Sequence, residues 1–205
     1  QKSPVIEAIR KYPKRIFLAA GAFLSVQVTF YILIAFMLAY GVTSANMARD
    51  DMLAAVLIAS AIMVPIQFVF SSYSDRHGRK GIFMLGAILT AIWAFVIFPL
   101  VDTGNFYLIV LAISGGLIFL AMMYGPQAAF FTELFSTEVR YSGATLGYQF
   151  GAIVGGAFAP TIAVKLWTEF DIIWVSAYIA LASLLTLISV MALTETYQSD
   201  LNNTD

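Results

Sequence analysis

Few side chains in this sequence carry charge, and they cluster. Asp75-Arg76-His77-Gly78-Arg79-Lys80 packs one acid, three permanent cations and the sole histidine of the chain into six residues. Such a run can anchor a membrane exit through its positive charge with Gly78 as the turn. It can also form ion pairs with a second charged group, Glu133, Glu138 and Arg140. As isolated surface pairs these would be worth at most about 1 kcal/mol each. As a network of Asp75, Arg76 and Arg79 with Glu133 and Arg140, they could form and break as a gate closes and opens. A third set is polar but uncharged: Gln27 and Tyr31 four apart, Gln67 just after Pro65, Tyr124 and Gln127 around Gly125-Pro126, and adjacent Tyr148 and Gln149. A buried Gln can donate two hydrogen bonds and accept two. In lipid it must find partners or face a cavity. The set therefore reads either as interhelical glue or as groups facing a cavity, and amides and phenols suit a small organic acid or zwitterion. Gly143, Gly147, Gly151 and Gly155 form a fourth pattern. Residues four apart share a helix face, so they make a smooth ridge for close helix packing. The same ridge could slide or rock.

These residues sit at the ends of, or inside, long apolar stretches. Of 205 residues, 60% are hydrophobic and 11% charged. Six windows contain no Asp, Glu, Lys, Arg or His: 16–48, 52–74, 81–101, 103–132, 141–164 and 172–194. A helix of about 20 apolar residues crosses the hydrocarbon core, and every window is that long. Backbone groups in lipid must be satisfied within the segment, which selects helix. The windows predict spans at about 16–40, 52–73, 81–101, 106–131, 142–166 and 172–193, with residues 1–15 a linker and 195–205 a polar tail. A short amphipathic helix is expected around Val5–Lys11. Six spans place both termini on one side. That side carries Lys2, Arg10, Lys11, Lys14, Arg15, Arg76, Arg79, Lys80 and Arg140, against Arg49 and Lys165 on the other. By the positive-inside rule both termini are expected in the cytoplasm.

The same arithmetic excludes other classes. The windows are apolar all round, unlike the alternating strands of a membrane β-barrel. No Cys is present, so disulfides and thiolate metal sites are excluded. No Ser–His pair, paired Asp or metal-ligand cluster falls within the spans, so no enzyme, metal or cofactor is expected. A net charge of −1 gives no case for nucleic acid. The chain opens on Gln, which is read as processing or a fragment.

Residues 71–80 resemble the G-x-x-x-D-R-x-G-R-R/K loop of the major facilitator superfamily: Asp75, Arg76, Gly78, Arg79 and Lys80 match, and Ser71 replaces the first Gly. Residues 125–160 are similar to the metabolite:proton symporters of that superfamily. Their T-E-L-F-P-T-x-V-R-Y-S-G-A-S-L-G-Y-Q run appears here from Thr132 to Gln149, with Ser136 for Pro and Thr145 for Ser. The resemblance implies an all-α membrane protein of six transmembrane helices, the C-terminal half of a twelve-helix fold built as a 3+3 inverted repeat. It implies an inner (plasma) membrane transporter whose first and fourth spans line the path. Its partners would be the N-terminal six-helix half, a small organic solute, protons and the bilayer. The expected function is proton-coupled symport by alternating access. The alternative is a self-sufficient six-helix channel or facilitator acting as a homo-oligomer. All six windows lack a titratable carboxylate, His, Lys or Arg, and Tyr titrates near 10. A proton carrier is therefore expected in the other half.

Overall fold

The computed structural model describes residues 3–135 and 140–193. Lys2, Ser136, Glu138 and the 195–205 tail, named above, lie outside the described residues. A short helix, α1 (Pro4–Lys11), precedes six long ones: α2 (Pro13–Thr43), α3 (Arg49–His77), α4 (Arg79–Asp102), α5 (Phe106–Glu133), α6 (Arg140–Glu169) and α7 (Ile172–Ala192). All six are long and apolar enough to cross a membrane.

Most of these helices run a few residues past the apolar windows, because lipid polarity does not end a helix; turn chemistry does. Gly78, at φ 109°, is the single residue between α3 and α4. That backbone conformation is open to Gly and strained for side-chain-bearing residues. Gly104, at φ 66°, turns the chain between α4 and α5. The Asn105 side chain then accepts from Tyr107 N at 2.9 Å and caps α5. Asp171 caps α7 through Ile172 N at 2.6 Å. Such caps satisfy donors that a helix start leaves orphaned.

The packing pattern is twofold. α3 packs on α5 as α6 packs on α2; α4 packs on α5 as α7 packs on α2. α2 also touches α5, and α4 touches α7. Exchanging each helix with the one three places along maps this pattern onto itself. An odd number of steps reverses direction in an alternating bundle, so the two triplets form an inverted repeat. Each triplet lends its second helix to the other, which interlocks them.

Two apolar cores fill the bundle, one towards each end. Phe36, Tyr40, Phe98 and Trp167 meet in edge-on and stacked pairs near one end, with ring centroids 5.1–6.1 Å apart. Phe23, Phe83, Phe130, Phe131 and Phe135 belong to the other core. Between α2 and α7 the contact is polar. Ser25 Oγ and Ser183 Oγ are 2.8 Å apart. The Thr186 hydroxyl donates to Gly21 O and accepts from Ser25 N, both at 2.9 Å. It thus sits in the α2 ladder between a carbonyl and the N–H four residues on.

α3 and α6 are covered least. α3 buries Met52, Ala55, Ala59 and Ser74 and leaves Leu57, Val64, Phe68 and Val69 exposed. α6 exposes Phe150, Ile153, Val154 and Phe158.

Candidate solute cavity and inner charge cluster

The uncharged polar residues converge. Gln27, Tyr31, Gln67, Tyr124 and Tyr148 line one cavity of about 270 Å³ together with Val26, Phe30, Met63 and Leu120. A second cavity, about 660 Å³, shares Gln67, Tyr124 and Tyr148 and adds Gln127 and Gln149. Four helices, α2, α3, α5 and α6, thus supply all seven side chains. Neither lining contains Asp, Glu, Lys, Arg or His. Gln27 and Gln127 are buried, and Tyr31, Tyr124, Tyr148 and Gln149 are exposed. Gln127 Oε1 is buried with no hydrogen-bond partner among the described residues.

Glycines bring the four helices together. A Cβ on Gly125 would lie 3.0 Å from both Gln67 O and Ser71 N, so α3 and α5 meet backbone to backbone there. That contact puts Gln67 beside Tyr124, one residue before Gly125. Pro126 follows inside α5 and removes an N–H from the ladder. On α6, a Cβ on Gly151 would lie 2.9 Å from Ala20 O and from Phe23 Cβ, and one on Gly155 3.1 Å from Leu24 O. Gly147 faces Ala19, whereas Gly143 lies under the Phe135 ring. The upper three glycines of the ridge therefore seat α6 on α2.

A π-helical turn, Ala152–Ala157, interrupts α6 at this seat. It widens the helical turn, so Gly156, five residues after Gly151, joins the α2-facing side. A Cβ there would lie 2.8 Å from Tyr31 Cε2 and 2.9 Å from Gln27 Oε1. Gly156 thus backs two cavity side chains. Spacing by fours selects Gly155 and misses Gly156, because a π turn breaks that period. A second π turn, Ile32–Phe36, begins on α2 just after Tyr31.

The charged residues assemble at the end where α3 turns into α4. Arg79 Nη2 donates to Glu133 Oε1 at 2.8 Å and Arg79 Nε to Oε2 at 3.2 Å. Arg79 Nη1 donates to Asp75 and, at 2.8 Å, to Ser74 Oγ. Ser74, which sequence reasoning passed over, is buried and its hydroxyl donates a hydrogen bond to Ser71 O at 2.9 Å. Its signal was position, one turn before Arg79 across the Gly78 break. Lys80 Nζ reaches Met191 O at the end of α7 at 3.2 Å. Arg76 lies with Phe68, Tyr73 and His77 along the open side of α3. The His77 ring stacks on Tyr73 at 4.4 Å. Arg140 opens α6. At the opposite end the Tyr40 hydroxyl bonds Asp102, tying α2 to α4.

Two interlocked triplets of spanning helices around charge-free polar cavities define half of a major facilitator fold. The model of the sugar (and other) transporter family matches residues 3–205. The chain belongs to that family of membrane transporters, within the major facilitator superfamily. It is 31% identical to the inner membrane metabolite transport protein YhjE of Escherichia coli (strain K12), over 98% of this chain and 50% of that protein. It is 32% identical to the shikimate transporter of the same strain, over 88% of this chain and 42% of the relative. The proline/betaine transporter of that strain is 27% identical over 84% of the chain and 34% of its own length. The chain spans about half the length of the curated relatives it matches most fully.

Proposed function

We propose that the chain is the C-terminal six-helix half of a secondary active transporter. The cargo is a small organic acid or zwitterion, moved by rocking against an N-terminal half and coupled to protons. The observation that carries this reading is the convergence of four Gln amides and four Tyr phenols, with no charge, on two adjoining cavities.

The chemistry follows from the lining. A solute carboxylate finds donors in the Gln27 and Gln67 amides and the Tyr31, Tyr124 and Tyr148 hydroxyls. An ammonium group finds amide oxygens and the faces of Phe30 and the tyrosines. Neutral partners hold a charged solute without the tight ion pairing that would slow release. Shared lining by α2, α3, α5 and α6 means that movement of either pair reshapes the cavity. Because the six charge-free windows hold no carboxylate, His, Lys or Arg, the proton is assigned to residues of the other half.

The Arg79–Asp75–Glu133 cluster is read as an inner latch, on the side the positive-inside rule assigns to the cytoplasm. Among the relatives, one is named for shikimate and one for proline and betaine, which places carboxylates and zwitterions first in a test panel. The decisive experiment is uptake of organic acids, amino acids and betaines by the full-length protein, with and without a proton gradient. Gradient-driven uptake of at least one solute is expected. Gradient-independent uptake of every transported solute would end the symport reading. In addition, Gln27→Leu or Gln67→Leu is expected to raise KM about tenfold, the worth of one lost hydrogen bond. An unchanged KM in both would remove these cavities from the transport path.

A further inference from the structure

The transport reading leaves α1 without a role. Its residues divide around the helix. Ala8 and the following Tyr12 are buried, and Tyr12 meets the Phe135 ring edge-on at 5.6 Å. Val5, Ile6 and Ile9 are apolar yet 43%, 54% and 48% exposed. Glu7, Arg10 and Lys11 fill the remaining arc. Lys14 follows at the foot of α2, and Phe17, one turn further, is 77% exposed.

Two observations identify what covers the apolar arc. The first is charge. Arg10 stands beside it, and Lys11, whose Nζ lies 5.4 Å from the Tyr12 ring centroid, and Lys14 follow in sequence, at the end of the bundle where Arg15 Nη1 holds Leu134 O at 2.7 Å. The second is continuity. Phe17, exposed in turn, lies just inside the charge-free window that opens at Ile16, so the lipid-crossing stretch begins within eight residues of Ile9. A helix with an apolar arc bordered by cations and packed at a bundle end has the character of an interfacial helix.

We propose that α1 lies in the bilayer interface, with Val5, Ile6 and Ile9 among the acyl chains and Arg10, Lys11 and Lys14 on anionic headgroups. The cytoplasmic placement of this end rests on the positive-inside reading; the lipid contact does not depend on which solute is carried. Burial of Ala8 and Tyr12 fixes α1 to the bundle, so the lipid contact holds the start of α2, and with it the Gln27 and Tyr31 face, at a set depth.

The chain has no Cys, so a single Ile6→Cys or Ile9→Cys substitution creates a unique spin-label site within it. Both side chains are exposed, so the label displaces nothing packed. The full-length protein carrying each label is reconstituted in nanodiscs of phosphatidylcholine alone or mixed with phosphatidylglycerol. Accessibility to oxygen and to a water-soluble nickel chelate is then read. With phosphatidylglycerol, both labels are expected to be oxygen-accessible and shielded from nickel. Arg10→Gln with Lys14→Gln is expected to weaken this immersion about fivefold per charge and to change little in phosphatidylcholine. Nickel access in both lipids would overturn the proposal. So would shielding from both reagents, which would show protein, not lipid, on the arc. Immersion equal in both lipids and indifferent to the substitutions would remove the anionic partner.

Discussion

Arg79 is held unequally by its two carboxylates. Its side chain is 9% exposed, Glu133 is 15% exposed and Asp75 is 58% exposed. Pairs in water are worth at most about 1 kcal/mol, whereas breaking a buried pair leaves a desolvated charge and costs about 3 kcal/mol or more. Glu133→Gln is therefore expected to lower thermal stability in detergent far more than Asp75→Asn does. Equal losses would contradict this asymmetry. Transport separates the roles differently. A latch needs a bond that opens readily, so Asp75→Asn is expected to change the uptake rate of the full-length protein while stability is nearly kept. Unchanged uptake would end the latch reading. The sequence made the charged residues legible, because so few break the apolar windows. It did not show which carboxylate is buried, because burial of Glu133 depends on α5 ending beside the Gly78 turn. Ser74 was illegible for the same reason: a serine before a charged loop looks like solvent-facing turn chemistry until a guanidinium is placed on it.

The seat of α6 on α2 shows what a helix pattern reveals and what it hides. Spacing by fours marks Gly143, Gly147, Gly151 and Gly155 as one face; in the structure the last three meet α2 and Gly143 meets the Phe135 ring. It could not foresee the π turn that brings Gly156 to that face, since Ala152–Ala157 differs little in composition from the helix around it. Nor could it foresee the Thr186 hydroxyl within the α2 ladder, which depends on α7 lying alongside. The two glycines at the seat should respond differently to one added methyl. At Gly151 the methyl meets Ala20 O and Phe23 Cβ, atoms of the α2 backbone and its first side-chain carbon. Helices must part, so Gly151→Ala is expected to destabilise the fold by about 1–3 kcal/mol. At Gly156 it meets the far ends of Gln27 and Tyr31, which can rotate into the cavity. Gly156→Ala is expected to fold at nearly wild-type stability but to raise KM severalfold with kcat less affected. Thermal unfolding and uptake kinetics on the two variants decide this. Loss of stability at Gly156 with KM unchanged would show that it serves packing alone.

At the scale of the whole molecule, the apolar windows disclosed the spans, whereas their arrangement as an inverted repeat was legible only through the motifs that resemble the major facilitator superfamily. Each charge-free window is a local signal of about 20 residues. The exchange of α3 and α6 between triplets is set by contacts between windows, and its cues are single glycines such as Gly125 and Gly151. The same exchange leaves α3 and α6 with broad apolar faces: Leu57, Val64, Phe68 and Val69 on one, Phe150, Ile153, Val154 and Phe158 on the other. Both helices also line the cavities, so these faces flank the open side of the site. Lipid could cover the apolar atoms but would leave Gln67, Tyr124, Tyr148 and Gln149 beside hydrocarbon, where unsatisfied polar groups are costly. A second six-helix half with its own polar wall satisfies both requirements. Residues 1–205 alone are therefore expected to insert in the membrane yet support no saturable uptake. Co-expression with the preceding part of the full-length protein as a separate chain is expected to restore uptake, and Phe68→Arg or Val154→Arg in this half to abolish that rescue while insertion is kept. Saturable uptake by residues 1–205 alone would favour the homo-oligomeric facilitator. Rescue that survives both arginine substitutions would show that α3 and α6 meet lipid at these positions.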